Sequence, residues 1–309
     1  DSTVTKDVNT NENIIIVNST VDEDDNVTTI DENTVYNVDA NKLYSVTEEN
    51  DYPFEEAIAE LEAGQTLILG KGTFEVSGDN KTIIDKAGVT IRGVGKETVI
   101  DLKQCSSGSQ AGILVKADDV TIENLTIKNE ADASGNPGDA LKFAQDGSGD
   151  SIELLESGTV SNVTIASTSG HGLNIHGVKT MNVDNFVVEE TGKLSISIAN
   201  SKTVIISNIK TAKSPWGNDI GIMYDDNGNF GTTSTTVTLS GDNEFANDGA
   251  FYTEVVDAAD VENGILDSFV IEGGETLYKV LKEKEDGTWH YHYVTSDKIE
   301  ATIDDELAV

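Results

Sequence analysis

Between Gly112 and Lys213 apolar and polar residues alternate with a period of two, in runs too short for amphipathic helices and rich in β-branched residues. Val120–Ile127 is one such run, and the same small pattern returns as Thr159–Ile165, Met181–Val187 and Val204–Lys210. Each copy carries an asparagine. Asn162, Asn185 and Asn208 lie 23 residues apart, and Asn124 precedes Asn162 by 38, one period plus an insertion of 15. A second apolar run keeps the same phase, Leu173–Ile175 and then Ile196–Ile198. A fixed period in this range predicts a stacked repeat. A helical solenoid needs apolar positions three and four apart over ten or more residues, and none of these runs has them. A βαβ unit needs a crossover helix, for which 23 residues leave no room. What remains is a coil of about three short strands that winds once and stacks on the next, an all-β parallel β-helix with rungs about 4.8 Å apart.

An asparagine repeated in register has a physical task in such a coil. A sharp bend between strands needs a residue that tolerates the left-handed region, and Asn does so better than other residues with a side chain. Its amide can also bond to the rung above or below. Asn124, Asn162, Asn185 and Asn208 are therefore expected to form a ladder of amides inside the coil; the competing reading is ordinary turn asparagines.

The flanks differ from this body. Residues 1–50 are acidic and rich in Asn and Thr, with short β-like runs such as Ile14–Val17, and read as an extended arm pairing along the body. Residues 51–250 hold the coils. They open with Pro53–Gly64, an amphipathic helix with proline in its first turn and Phe54, Ile58 and Leu61 on one face, suited to cap the first rung. In residues 251–309, Thr276–Glu283 and Thr288–Val294 flank Lys284-Glu285-Asp286-Gly287, which predicts a β-hairpin closing the far end or a small appended module.

Val89–Ile100 and Ala63–Glu75 are similar to first-coil sequences common in the pectate lyase and pectin lyase-like superfamily, and the likeness spans roughly residues 54–245. The resemblance implies a single-stranded right-handed parallel β-helix. It says little about activity, because such scaffolds host lyases, hydrolases, epimerases and non-catalytic surface proteins alike.

Charge narrows the partners. With 56 acidic residues against 20 basic ones the net charge is −36, which argues against nucleic acid and anionic membrane surfaces. It suits a cation-rich exterior and a protein or neutral-sugar partner, and fits polyanionic pectate only if cations such as calcium bridge the two. The single Cys105 excludes an intrachain disulfide. The sequence opens on Asp1, as a processed product does, and a secreted or cell-surface location is expected.

Candidate chemistry falls on one wall. Insertions on one side of a solenoid border a groove, here 130–158 and the loops Ser214–Asn218 and Asp225–Phe230. Aligning the rungs puts Leu141, Leu173 and Ile196 in one column, Asp139 on His171, and Lys142 on Asn174 and Ser197. Gly170-His171-Gly172 resembles a motif of the polygalacturonase group, in which a histidine helps organise paired carboxylates; the resemblance implies a catalytic Asp139 and His171. The second strand-borne acid and the Arg motif of that group are absent, with Asp146 and Asp150 in the insertion as loop-borne candidates. Calcium-assisted lyase chemistry wants an arginine base, and Arg92, the one arginine, is not on these rungs. Lys142, Asn174, His176 and Trp216 are candidates for carbohydrate binding, with the indole as a platform for a sugar ring. His290 and His292 share one face of the hairpin without a third metal ligand beside them, and Asp22–Asp25 lacks the spacing of an EF-hand. Two functions are thus expected: non-catalytic glycan binding or adhesion on the side wall, and, as the alternative, a polygalacturonase-like hydrolase or pectate-type lyase at Asp139 and His171.

Overall fold

The run Val120–Asn129 forms one strand bent at Asn124, and successive copies stack on it in parallel. It pairs with Leu155–Thr168, which pairs with Val178–Val188, then Thr203–Ser207, then Thr235–Ser240. A second parallel sheet stacks Ile83–Ile84, Ile113–Val115, Leu141–Ala144, Leu173–His176, Ile196–Ala199, Asn218–Met223 and Gly249–Glu254. The chain alternates between the sheets, so every rung is one turn of a right-handed parallel β-helix. This computed structural model describes residues 52–78, 82–102, 112–129, 138–144, 154–222 and 235–247 in full, and a set of further strands by backbone pairing alone.

The bend divides each long strand into two legs. Before it, inward positions stack Ile122, Val160, Val183, Ile206 and Leu239; after it, Leu125, Val163, Phe186 and Ile209. The second sheet contributes Val115, Phe143, Ile175, Ile198 and Ile222. All are buried in one continuous apolar core. Each such side chain contributes about 1.5–3 kcal/mol by leaving water, and β-branched residues fit the pleat on which they stand.

All four bend asparagines are left-handed, with φ of 56° at Asn124, 53° at Asn162, 48° at Asn185 and 54° at Asn208. They occupy one column, and glycines stand at its two ends, Gly93 below Asn124 and Gly241 (φ 69°) above Asn208. The expectation that the amides run inside the coil is corrected: Asn162, Asn185 and Asn208 are exposed, because a left-handed corner turns the side chain out along the edge of the stack. Asn185 Nδ2 donates to Asn162 Oδ1 at 2.5 Å, whereas Asn208 Nδ2 turns to Asp184 Oδ1 at 2.9 Å.

The helix α1 (Pro53–Glu60) seats Phe54, Ala57 and Ile58 on the first-rung residues Leu67, Leu69 and Phe74, and so caps the core. Proline at its start and Glu55 and Glu56 in its first turn fit the positive end of the helix dipole. The strand Ile14–Val17 pairs in parallel with Thr66–Leu69. At the other end Tyr278–Glu283 and Trp289–Val294 form the expected antiparallel hairpin, which extends the second sheet by pairing with Gly249–Glu254. Within 130–158 the strand expected around Leu141 is present, as the rung Leu141–Ala144 of the second sheet, and the next long strand begins at Leu155, inside that span. Asp22–Asp25, Cys105, Asp146, Asp150, the loop Asp225–Phe230 and the side chains of His290 and His292 lie outside the described residues.

Candidate functional site

The second sheet presents the expected wall, and its register sets the site. Leu141, Leu173, Ile196 and Ile220 point inward in one column; the next column outward stacks Lys142, Asn174, Ser197 and Gly221. Two residues ahead of the inward column, at the bend into each strand, lie Asp139, His171, Leu194 and Asn218. The bends pack tightly because they carry glycines. A Cβ on Gly170 would meet the Gly138 carbonyl oxygen at 2.5 Å, and one on Gly192 the Ser169 carbonyl oxygen at 2.2 Å. Glycine here permits backbones of neighbouring rungs to touch.

Asp139 is half-buried, and both its oxygens are engaged. Oδ1 accepts the His171 backbone N–H at 2.9 Å and Oδ2 accepts Asn174 Nδ2 at 2.8 Å. The carboxylate ties its own rung to the next. His171 is buried, and its Nδ1 accepts the Leu194 N–H at 3.2 Å, so that nitrogen carries no proton. Burial lowers its pKa to about 4; the Asp139 charge works against this shift, and the Lys193 and Lys142 charges add to it. A neutral ring anchored to the backbone is no ready proton donor at neutral pH. The bend column that holds Asp139 has no second acid at His171, Leu194 or Asn218.

Trp216 stands over this bend. Its ring meets His171 edge-on, with centroids 5.5 Å apart and planes at 87°. Lys193 Nζ lies 5.9 Å from the ring centre. Trp216 is 43% exposed, the most exposed large hydrophobic residue among the described residues. Asp139, Lys142, His171, Asn174 and Trp216 are thus brought together on one wall. His176 stands apart, two positions along the strand from Asn174, and bonds through Nε2 to Asn200 Nδ2 at 3.2 Å.

Lys193 was not among the sequence candidates, although the 23-residue period sets it directly over Gly170, whose carbonyl accepts its N–H at 3.1 Å. Also unexpected is Asp219, a fully buried carboxylate one place inward of the bend column. It accepts Thr211 Oγ1, the Ala246 N–H (2.9 Å), the Asn247 N–H (3.3 Å) and Asn247 Nδ2 (3.0 Å). Burial pushes its pKa up, while the bonds from Thr211, Ala246 and Asn247 pull it back. Among the described residues no group of three or more His, Cys, Asp or Glu side chains is placed to hold a metal ion, and no helix is long and apolar enough to cross a membrane.

No protein-family model and no curated protein matches this chain. Solved structures similar to it include a pectin methylesterase in complex with a hexasaccharide, at 12% identity and a TM-score of 0.34, covering 79% of this chain and 81% of that one. Another is pectin methylesterase PemA from Erwinia chrysanthemi, at 12% identity and a TM-score of 0.37, covering 93% of this chain and 86% of that one. A likeness this distant assigns no residue of the wall; the β-helix itself rests on the strand pairings above.

Proposed function

We propose that this protein binds carbohydrate on the wall beside Trp216, as a secreted or cell-surface protein, and that the wall holds its ligand without cleaving it. The observation that carries the reading is the exposed indole, fixed edge-on by a buried neutral histidine and flanked by hydrogen-bonding side chains. A sugar ring stacks its C–H face on such a platform, and Lys142, Lys193 and Asn174 lie around the same bend to orient hydroxyls. Affinity electrophoresis through gels containing pectic and neutral polysaccharides tests it. At least one polymer retards the wild type, and Trp216→Ala runs unretarded; equal retardation of the two removes Trp216 from the site.

A second reading keeps the same wall for a polysaccharide-degrading enzyme. It is favoured by Asp139, a half-buried carboxylate beside Lys142 and His171. Its test is the release of reducing ends from the same polymers. The binding reading expects none; release by the wild type that disappears in Asp139→Asn decides for the enzyme.

A further inference from the structure

Trp216 is held from two sides. Its ring rests on His171 and Lys193, and its backbone belongs to a turn that is pinned from the next coil. Gly217, at φ 76°, closes that turn by donating its N–H to the Ser214 carbonyl at 3.0 Å. Ser214 Oγ accepts the Trp216 N–H at 3.0 Å, and the Ser214 N–H donates to Asn247 Oδ1 at 3.1 Å. The same Asn247 amide donates through Nδ2 to the Ala212 carbonyl at 3.2 Å and to Asp219 Oδ1 at 3.0 Å. Asp219, Asn247 and Ser214 are all buried, so each bond lost there leaves a polar group without water to replace its partner.

We propose that Asn247, seated on the buried carboxylate of Asp219, is a positioning residue for the Trp216 platform, so that docking of the 244–247 segment sets where the indole stands on the wall. The connection runs Asp219 to Asn247 to Ser214 to Trp216 through bonds of 3.0–3.1 Å. The segment is itself locked to the coil below, since Glu244 donates its N–H to the Ile209 carbonyl at 2.8 Å and Ala246 donates to Thr211 Oγ1 at 2.9 Å. A platform built so transmits any loosening of the 244–247 segment to the ring, and small displacements of a positioned group cost binding steeply. The consequence for affinity rests on the carbohydrate reading above; the geometry of the ring does not.

The test uses the full chain with Trp289→Phe, which leaves Trp216 as the sole indole of the two in the sequence. Asn247→Ala is compared with Val160→Ala, a core truncation remote from the turn. In Asn247→Ala, at a temperature where circular dichroism shows the chain folded, Trp216 emission shifts to the red, acrylamide quenches it more strongly, and polysaccharide retardation weakens several-fold. Val160→Ala lowers Tm and leaves emission and quenching at the parent values. A lowered Tm with parental emission and quenching in Asn247→Ala overturns the proposal and leaves Asn247 a merely structural residue. Should Asn247→Ala fail to fold, Ser214→Ala removes the last acceptor of the relay alone; the same red shift is expected, and an unmoved spectrum overturns the proposal equally. The spectroscopic arm needs no ligand, so failure of the carbohydrate reading, seen as undiminished retardation of Trp216→Ala, is distinguishable from failure of the relay.

Discussion

His171 makes the fold's stability depend on pH in a defined window. Its ring is buried, its Nδ1 is committed as an acceptor to the Leu194 N–H, and its pKa is lowered from 6.5 to about 4. The groups facing it are Asp139, which favours the charged ring, and Lys193 and Lys142, which oppose it. In the unfolded chain the imidazole takes up a proton near pH 6.5; in the folded chain it does not until about pH 4. The folded state therefore binds fewer protons between these values, and the stability contributed by the neutral ring is full above pH 6.5 and is lost as pH falls toward 4. The shift corresponds to roughly 3 kcal/mol. Urea unfolding of the wild type and of His171→Asn, which retains an acceptor near Leu194 but no titratable ring, measures it. Between pH 7 and pH 4 the wild type should lose roughly 3 kcal/mol more than the variant, while carboxylate titrations shared by both cancel. Parallel stability curves would refute the reasoning, as would an NMR titration of His171 with a midpoint near 6.5.

Asn185 sits at φ 48° and donates its amide to Asn162. Asn185→Ala should cost about 1–3 kcal/mol in urea unfolding, from left-handed strain plus one lost bond. Asn185→Gly should cost less than Asn185→Ala, the reverse of the order at an ordinary strand position. Gly192→Ala drives a methyl group into the Ser169 carbonyl oxygen and should cost about 1–3 kcal/mol, with altered Trp216 emission because Lys193 moves with it. Phe186→Ala, in the centre of the inward column, should lower stability by about 3–5 kcal/mol without changing the Trp216 spectrum at a temperature where the variant is folded.

The repeat was legible because its two signals are local. Left-handed corners select Asn or Gly, and inward positions select apolar side chains, so Asn162, Asn185 and Asn208 mark the rungs from the sequence alone. The same alignment placed Asp139 on His171 and Lys142 on Asn174. It did not reveal what those contacts do. That Asp139 spends both oxygens on the next rung, and that His171 is buried and neutral, follows from the turn geometry at Gly170 and Gly172, which no strand pattern encodes. Lys193 stacks on Gly170 in phase with the repeat, but the Trp216 ring that gives it a role comes from a coil of different length, so the period does not reveal the contact. The relay through Asn247 escaped for a related reason. The coil from Ser207 to Ser240 spans 33 residues instead of 23, so the period breaks where Ser214, Asp219 and Asn247 meet. Parity was equally misleading at Asp219: the bend resets alternation, and a carboxylate in a polar-looking Gly-Asn-Asp stretch is fully buried among Thr211, Ala246 and Asn247.

The proposed role of the Trp216 indole as the ligand platform is tested most directly by NMR. Titrating a retarding polysaccharide's oligosaccharides into 15N-labelled protein follows the two indole N–H resonances separately. The Trp216 signal should move saturably with ligand while that of Trp289 stays in place; binding that leaves the Trp216 signal unmoved would contradict the account.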